Sequence, residues 1–401
     1  MDRSHTRSPI GEFGRRAPLV AALIFLVAIN LRSPLTTVGP VLAEISADHR
    51  LTEALAGLLG ALPLLMFAAI SPLVHLASTR IGTDRLLLAA LVLLAAGVAV
   101  RSFGATAGLW IGTVVVGAAI AVGNVLVPVL IRRDYWRRIS GATALYSACM
   151  GTVAAAAAAV VVPIANRTGW QISLALWALP PLVVALLWVP RARAASPALE
   201  HLPAPTHPPV SVWRQPTAWM VTAFMGLQST TFYILITWLP TISTAGGFSA
   251  TQGGLHVFGL QLVGMAAGLL MPRLMRRPDS QTVAAVAASA PIVIGAVGLL
   301  SAPALTALWA MVIGAGTGSS LVVALSLISI RGRTQAETTQ LSGMAQSLGY
   351  LLAAGGPVLA GALAGSTGTW QAPLVLIVLL GVLQTIAAIV AGKDRRRTDG
   401  P

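Results

Sequence analysis

Apolar residues run along this chain in blocks long enough to cross a bilayer as helices, parted by short clusters of Arg, Asp, Pro and Gly. A hydrocarbon core about 30 Å thick needs roughly 20 such residues per crossing. Bounding the blocks by charge, Pro or Gly predicts twelve helices. Their spans are 17–43, 52–77, 84–103, 107–131, 139–165, 170–190, 216–240, 252–275, 280–300, 304–330, 339–364 and 370–391. The longest polar connection is 191–213, where Pro197, Pro203, Pro205, Pro208 and Pro209 surround Glu200. Such a segment buries no apolar area and reads as a linker.

That linker divides the expected organisation. A cytoplasmic segment 1–16 precedes a six-helix half 17–190, the linker 191–213 follows, then a second half 214–391 and a cytoplasmic tail 392–401. A shift of 200 residues superposes the halves: Pro40 falls on Pro240, Pro72 on Pro272, Ser147 on Ser347, and Trp170-Gln171 on Trp370-Gln371. The expected fold class is therefore an all-α polytopic membrane protein of twelve transmembrane helices in two six-helix pseudo-repeats. Parallel repeats of this kind are the pattern of the major facilitator fold, with substrate held near mid-membrane between the halves.

Composition agrees. Charged residues are 9% of the chain and mean hydropathy is +0.81, against roughly 25% charged in soluble domains, so a water-soluble enzyme is excluded. A net charge of +14 raises nucleic acid as a partner, but its distribution points elsewhere. Of the 26 basic residues, 22 fall in the N-terminal segment, the even-numbered connections and the tail. By the positive-inside rule both termini are then cytoplasmic, in a cell (inner or plasma) membrane. Expected partners are the lipid bilayer and a small-molecule substrate, not nucleic acid, with the chain working as a monomer. The single cysteine, Cys149, and the six scattered histidines suggest no metal cluster and no cofactor. Gly314-Ala315-Gly316-Thr317-Gly318 lacks the spacing of a nucleotide loop and reads as close helix packing.

Within this apolar frame Arg32 stands out. It lies about fifteen residues into the first block, or ~22 Å along a helix, past the midplane of the core. A guanidinium at that depth costs about 2.5–3.5 kcal/mol on insertion scales, so it persists only facing a polar cavity or partner. It is the only charged side chain that the segmentation places within the hydrocarbon. Glu44 is twelve residues away on the same helix, about 18 Å, and cannot pair with it. Arg32 therefore predicts recognition of an anion or electron-rich group; the other reading is a structural anchor that snorkels or bonds helix carbonyls.

Further candidates are polar residues at helix-interior positions. Thr36, at i+4, shares the face of Arg32, while Asn30 lies about 200° round the helix. Tyr146 and Gln346 correspond under the shift, which suits two walls of one cavity. Gln228 and Tyr233 in the seventh helix and Gln261 in the eighth extend the set; Asn124, one turn before Pro128, is either a ligand or a bond to the kinked backbone. His256, the only His in a helix interior, is the candidate for proton coupling; the other reading is that it is simply wetted, within two turns of the outer end. No catalytic residue is expected.

Several stretches resemble the cyanate/nitroimidazole permease (CynX/NimT-like) branch of the major facilitator superfamily. These are Asn30-Leu31-Arg32-Ser33-Pro34 with Val38-Gly39-Pro40, Gly123-Asn124-Val125-Leu126-Val127-Pro128 with Arg132-Arg133-Asp134, Met225-Gly226-Leu227-Gln228-Ser229, Phe232-Tyr233, Thr237-Trp238-Leu239-Pro240, Gln261-Leu262-Val263-Gly264, Gly349-Tyr350-Leu351-Leu352-Ala353 and Gly356-Pro357. The resemblance implies a secondary transporter of a small anionic or polar nitrogen-containing solute, working by alternating access. The alternative is an efflux transporter of a neutral drug-like compound, with Arg32 structural. The family's loop between helices two and three usually carries an Asp latch, but here Thr79 stands at that position while Arg80 and Gly82 persist, implying a weakened cytoplasmic gate. The fifth helix has Ala154 to Ala159 instead of the antiporter proline-glycine signature, which reads as close packing through small residues.

Overall fold

A computed structural model of the chain describes residues 22–135, 139–194, 212–275, 281–331 and 335–392. The N-terminal segment, positions 195–211 of the linker, the tail beyond 392 and most of the basic residues read as cytoplasmic lie outside the described residues.

Twelve helices are long and apolar enough to cross a membrane. They are α1 (Ala22–His49), α2 (Glu53–Ile81), α3 (Thr83–Phe103), α4 (Ala105–Asp134), α5 (Ile139–Thr168), α6 (Trp170–Ala194), α7 (Pro216–Ala245), α8 (Ala250–Leu274), α9 (Thr282–Ser301), α10 (Thr306–Arg331), α11 (Gln335–Thr367) and α12 (Gln371–Gly392). No strand occurs among the described residues. Bulky apolar side chains such as Leu186, Phe103 and Leu379 stand more than half exposed on the outside, as lipid permits and water does not. The chain is thus a multi-pass, all-helical membrane protein.

Caps and glycines set the turns. Thr52 accepts the Leu55 N–H at the start of α2, and Ser249 with Gln252 forms a capping box at the start of α8. Gly82 joins α2 to α3 at φ +86°, a conformation open to glycine and strained for other residues. The glycines of 314–318 serve packing: a methyl on Gly314 would strike the Leu260 carbonyl, and one on Gly318 the Gly264 backbone.

The apolar core is asymmetric along the membrane normal. On the face opposite the chain termini one cluster unites both halves, with Val41, Ile45, Leu59 and Val161 against Ile234, Trp238, Leu239 and Val257. On the terminal face the core divides. One cluster is built from α1–α6, joined only by Ala353 and Ala354 among its fully buried members, and the other from α7–α12 with Val212. At the shared face backbones cross closely: methyls on Gly39, Gly57 and Gly361 would collide with carbonyls of Ile236, Pro357 and Glu53. A methyl on Gly254 would lie 2.7 Å from the Ala158 carbonyl oxygen, so the alanine run of α5 is where α8 comes close. The repeated tryptophans sit here too. Trp170 donates to Asp48 at 2.6 Å, and Trp370 packs at a 45° tilt against Trp238, which donates to the Pro357 carbonyl at 2.9 Å.

The first span departs from the single continuous helix expected. It is helical over 22–28, turns through 29–32, resumes for Ser33–Thr36, tightens to a 3-10 turn at Gly39–Val41 and runs on as Leu42–His49. Pro34 and Pro40 fall at these interruptions: each removes an N–H from the ladder and sits in the first turn of a helical piece, where that N–H is not needed. In lipid the backbone carbonyls around such an irregular stretch need donors, and short side chains supply some of them. Asn30 Nδ2 donates to the Leu26 carbonyl, Ser33 to Ile29, and Thr37 to Ser33.

Candidate functional site

Arg32 sits in the break of α1, capping the short Ser33–Thr36 piece with a non-helical φ of −132°. Its guanidinium carbon lies 4.4 Å from the centre of the Phe232 ring on α7. Among the described residues its side chain makes no hydrogen bond and no ion pair. Tyr146 on α5, Tyr233 on α7 and Tyr350 on α11 all lie within the electrostatic reach of its charge. Phe232 meets Tyr233 edge-on at 5.2 Å, and Phe67 on α2 meets Tyr350 at 5.6 Å. One cation thus lies over an aromatic face of the second half, with phenols of both halves within reach of its charge. Such a setting offers charge, hydroxyl donors and stacking surface, which together fit a small planar or linear acceptor.

Of the residues expected from sequence, the structure brings together Arg32, Tyr146 and Tyr233. Asn124 is half-buried beside Gly123, which lies against Leu31, one residue before the arginine. Others are engaged locally. Asn30 bonds its own helix, and Thr36 donates across to the Ala154 carbonyl of α5 at 3.0 Å. Gln228 donates to Ser229 at 2.7 Å, and Gln346 to Ser342 at 2.9 Å. Gln261 is buried, with neither amide atom bonded among the described residues. His256 is also buried, and its Nδ1 is 2.9 Å from the Ser243 hydroxyl, with Phe248 packed edge-on.

Phe232, Tyr350 and Phe67 were not among the expected site residues. A signal for the first was present: the 200-residue shift that aligns the halves puts Arg32 onto Phe232. Two residues that correspond and touch must lie beside the axis relating the halves.

The expectation that Arg32 is the only charged side chain within the span is corrected by Arg101. It falls near the end of the third predicted span, 84–103, and is 2% exposed in the last turn of α3. Its Nη1 donates to the Pro34 carbonyl at 2.8 Å. The Val38 N–H that would bond this carbonyl in a regular helix turns to Leu35 instead. A break in one helix thus recruits an arginine from another.

The gate loop lies between α2 and α3. Arg80 is exposed and Gly82 is the turn. Among the described residues a charged link at the terminal face is built on Asp84, which accepts from Arg133 at 2.8 and 3.2 Å and from Arg191 at 2.5 Å. Asp134 accepts from the same two arginines. Burial works against the Arg133 charge, yet its bonds to Asp84 and Asp134 outweigh this and hold its pKa above the ordinary arginine value. Four residues therefore tie the ends of α3, α4 and α6 without an Asp at position 79.

The sequence profile of the Major Facilitator Superfamily matches residues 19–355. The chain belongs to this superfamily. It is 40% identical over 384 residues to the 2-nitroimidazole transporter of Escherichia coli (strain K12), covering 95% of this chain and 97% of that one. It is 39% identical to the uncharacterized transporter YycB of Bacillus subtilis (strain 168), over 94% of each. The cyanate transport protein CynX of Escherichia coli (strain K12) is 29% identical over 87% of this chain and 90% of that one. Among solved structures, the D-xylose-proton symporter superposes with a TM-score of 0.72 at 15% identity, over 96% of this chain and 98% of that one. A point mutant of the nucleoside transporter NupG superposes at 0.76 and 12% identity, over 94% and 99%. These two share the superfamily's fold. The likeness to the cyanate/nitroimidazole branch thus spans nearly the whole chain.

Proposed function

We propose that the protein is a secondary transporter that carries a small anionic or polar nitrogen-containing solute past Arg32. The observation that carries this reading is an intramembrane guanidinium with no carboxylate and no hydrogen-bond partner of its own among the described residues, held over an aromatic face where the halves meet. Such a cation is best compensated by an acceptor that comes and goes, and Arg suits planar or bidentate acceptors. Cyanate and nitroimidazoles, named in its relatives, have this chemistry. Polar and aromatic groups of α5, α7 and α11 complete the pocket.

With both termini cytoplasmic, as the arginine distribution directs, the conformation described is joined on the outer face and divided toward the cytoplasm. Alternating access then follows from rocking one half on the other. The described acidic residues cluster at Glu44, Asp48 and Glu53 near one face and at Asp84, Asp134 and Glu337 near the other. That supports transport driven by the solute's own gradient or by exchange over an Asp/Glu proton relay, and leaves His256 as the one coupling candidate.

The test is thermal stabilisation of the purified protein by cyanate, other small anions and nitroimidazoles, on wild type and Arg32→Ala. A ligand that binds only the folded state raises the melting temperature. Stabilisation of wild type and its loss in Arg32→Ala is the expected result. If neutral solutes stabilise both proteins equally and neither anions nor nitroimidazoles depend on Arg32, the arginine is structural and efflux of a neutral compound replaces this reading.

A further inference from the structure

A second basic centre adjoins the Arg32 pocket, with Tyr233 bordering both. Arg101 is almost wholly enclosed, and one nitrogen, Nη1, meets the Pro34 carbonyl. Its Nε and Nη2 are buried with no hydrogen-bond partner among the described residues. Arg101 lines a cavity of about 20 Å³ between the halves, bordered by Gly39, Gly60 and Thr113 of the first half and by Tyr233 and Thr237 of the second. The Thr113 hydroxyl donates to the Leu109 carbonyl, whereas those of Tyr233 and Thr237 make no hydrogen bond among the described residues. The lining therefore presents a full positive charge and two free hydroxyl donors, with no carboxylate.

We propose that this cavity is a halide-class anion site, in which one monatomic monovalent anion is held by Arg101 with the hydroxyls of Thr237 and Tyr233. Size and charge both argue for it. A space of this order admits one water or one ion of similar radius and excludes a solute as large as a nitroimidazole. A water would satisfy N–H groups but leave the buried charge uncompensated, which is the costly part in a medium of low dielectric. An anion does both. It would also bridge α3 to α7, beside the crossing of Gly39 with Ile236, and so favour closure of the face where the halves share one core. The proposal does not depend on what passes Arg32.

The test is a halide titration of protein purified in gluconate, at constant ionic strength, read by thermal unfolding. Chloride, bromide, sulfate and gluconate are compared on wild type, Arg32→Gln, Arg101→Gln and Thr237→Val. Chloride and bromide, but not sulfate, are expected to raise the melting temperature saturably in wild type and in Arg32→Gln. The shift should vanish in Arg101→Gln, and its half-saturating concentration should rise about tenfold in Thr237→Val. Should Arg101→Gln fail to fold, Thr237→Val and the anomalous signal of bromide in crystals decide, with a peak between Arg101 and Thr237 expected. Equal shifts with all four anions, a halide effect lost only in Arg32→Gln, an unchanged titration in Thr237→Val, or bromide absent from the cavity would each overturn the assignment.

Discussion

Replacing Gly39 with alanine is expected to drive the protein out of the conformation described. Gly39 begins the 3-10 turn where α1 crosses α7, and a methyl there would run into the Ile236 carbonyl and come within 3.1 Å of the Thr237 carbonyl oxygen. Backbone oxygens cannot rotate away as a side chain can, so the two helices must part by about 1 Å to restore van der Waals separation. Overpacking of this kind costs about 1–3 kcal/mol. The contact joins the two halves, so the cost falls on conformations in which they meet on this face, and an arrangement parted there escapes it. The equilibrium between the two should move about 5- to 150-fold toward the parted form. Nitroxide labels at the exposed Ala47 and Ala245, one in each half at this face, with Cys149 replaced by serine, report the separation by pulsed electron resonance. A longer-distance population should appear or grow in Gly39→Ala. Gly343→Ala is the control, since nothing lies within 4 Å of a methyl at that position. An unchanged distance distribution in Gly39→Ala would show that the crossing yields locally and does not bear on how the halves close.

Two other substitutions probe the terminal face. Asp84→Asn keeps the shape but strips Arg191 and Arg133 of a shared carboxylate. Losing one partner of a buried pair costs about 3–5 kcal/mol; since the Arg133 side chain is 38% exposed, solvent screening brings the expected loss to about 2 kcal/mol, read as the free energy of denaturant unfolding in mixed micelles. Gly82→Ala must hold alanine at φ +86° and should lower stability by about 1–3 kcal/mol in the same assay; a variant as stable as wild type would mean the α2–α3 turn rebuilds around the methyl.

The twelve crossings were legible because a bilayer imposes one length scale on every apolar block. The repeat was legible because Pro and Trp-Gln are rare enough in an alanine- and leucine-rich background to mark register. Arg32 was found on depth alone. What escaped had physical reasons. Arg101 sits near a helix end, where sequence cannot tell a residue that reaches water from one folded back under a neighbouring helix. Its partner, the Pro34 carbonyl, is a backbone group freed by a break that hydrophobicity does not report. The charge network at Asp84 was hidden because the expected latch position holds Thr79, and its arginines come from the distant ends of α4 and α6. Aromatic residues around Arg32 read as ordinary apolar residues until their rings were placed, although register pointed to Phe232.

The meeting of Arg32 with Phe232 also bears on how a doubled chain can differ from its halves. A side chain beside a two-fold axis confronts its own counterpart, so a perfectly duplicated sequence would set guanidinium against guanidinium. At about 5 Å and an effective dielectric of about 20, that repulsion is on the order of 3 kcal/mol. Away from the axis, two copies of a residue can stay alike without ever sensing each other; on it, sameness is penalised for charge. An arginine here is therefore compatible with the fold only if its mate is something else, and an aromatic face turns the clash into an attraction. Inequality between the halves is in this sense built into the place where the solute is proposed to pass.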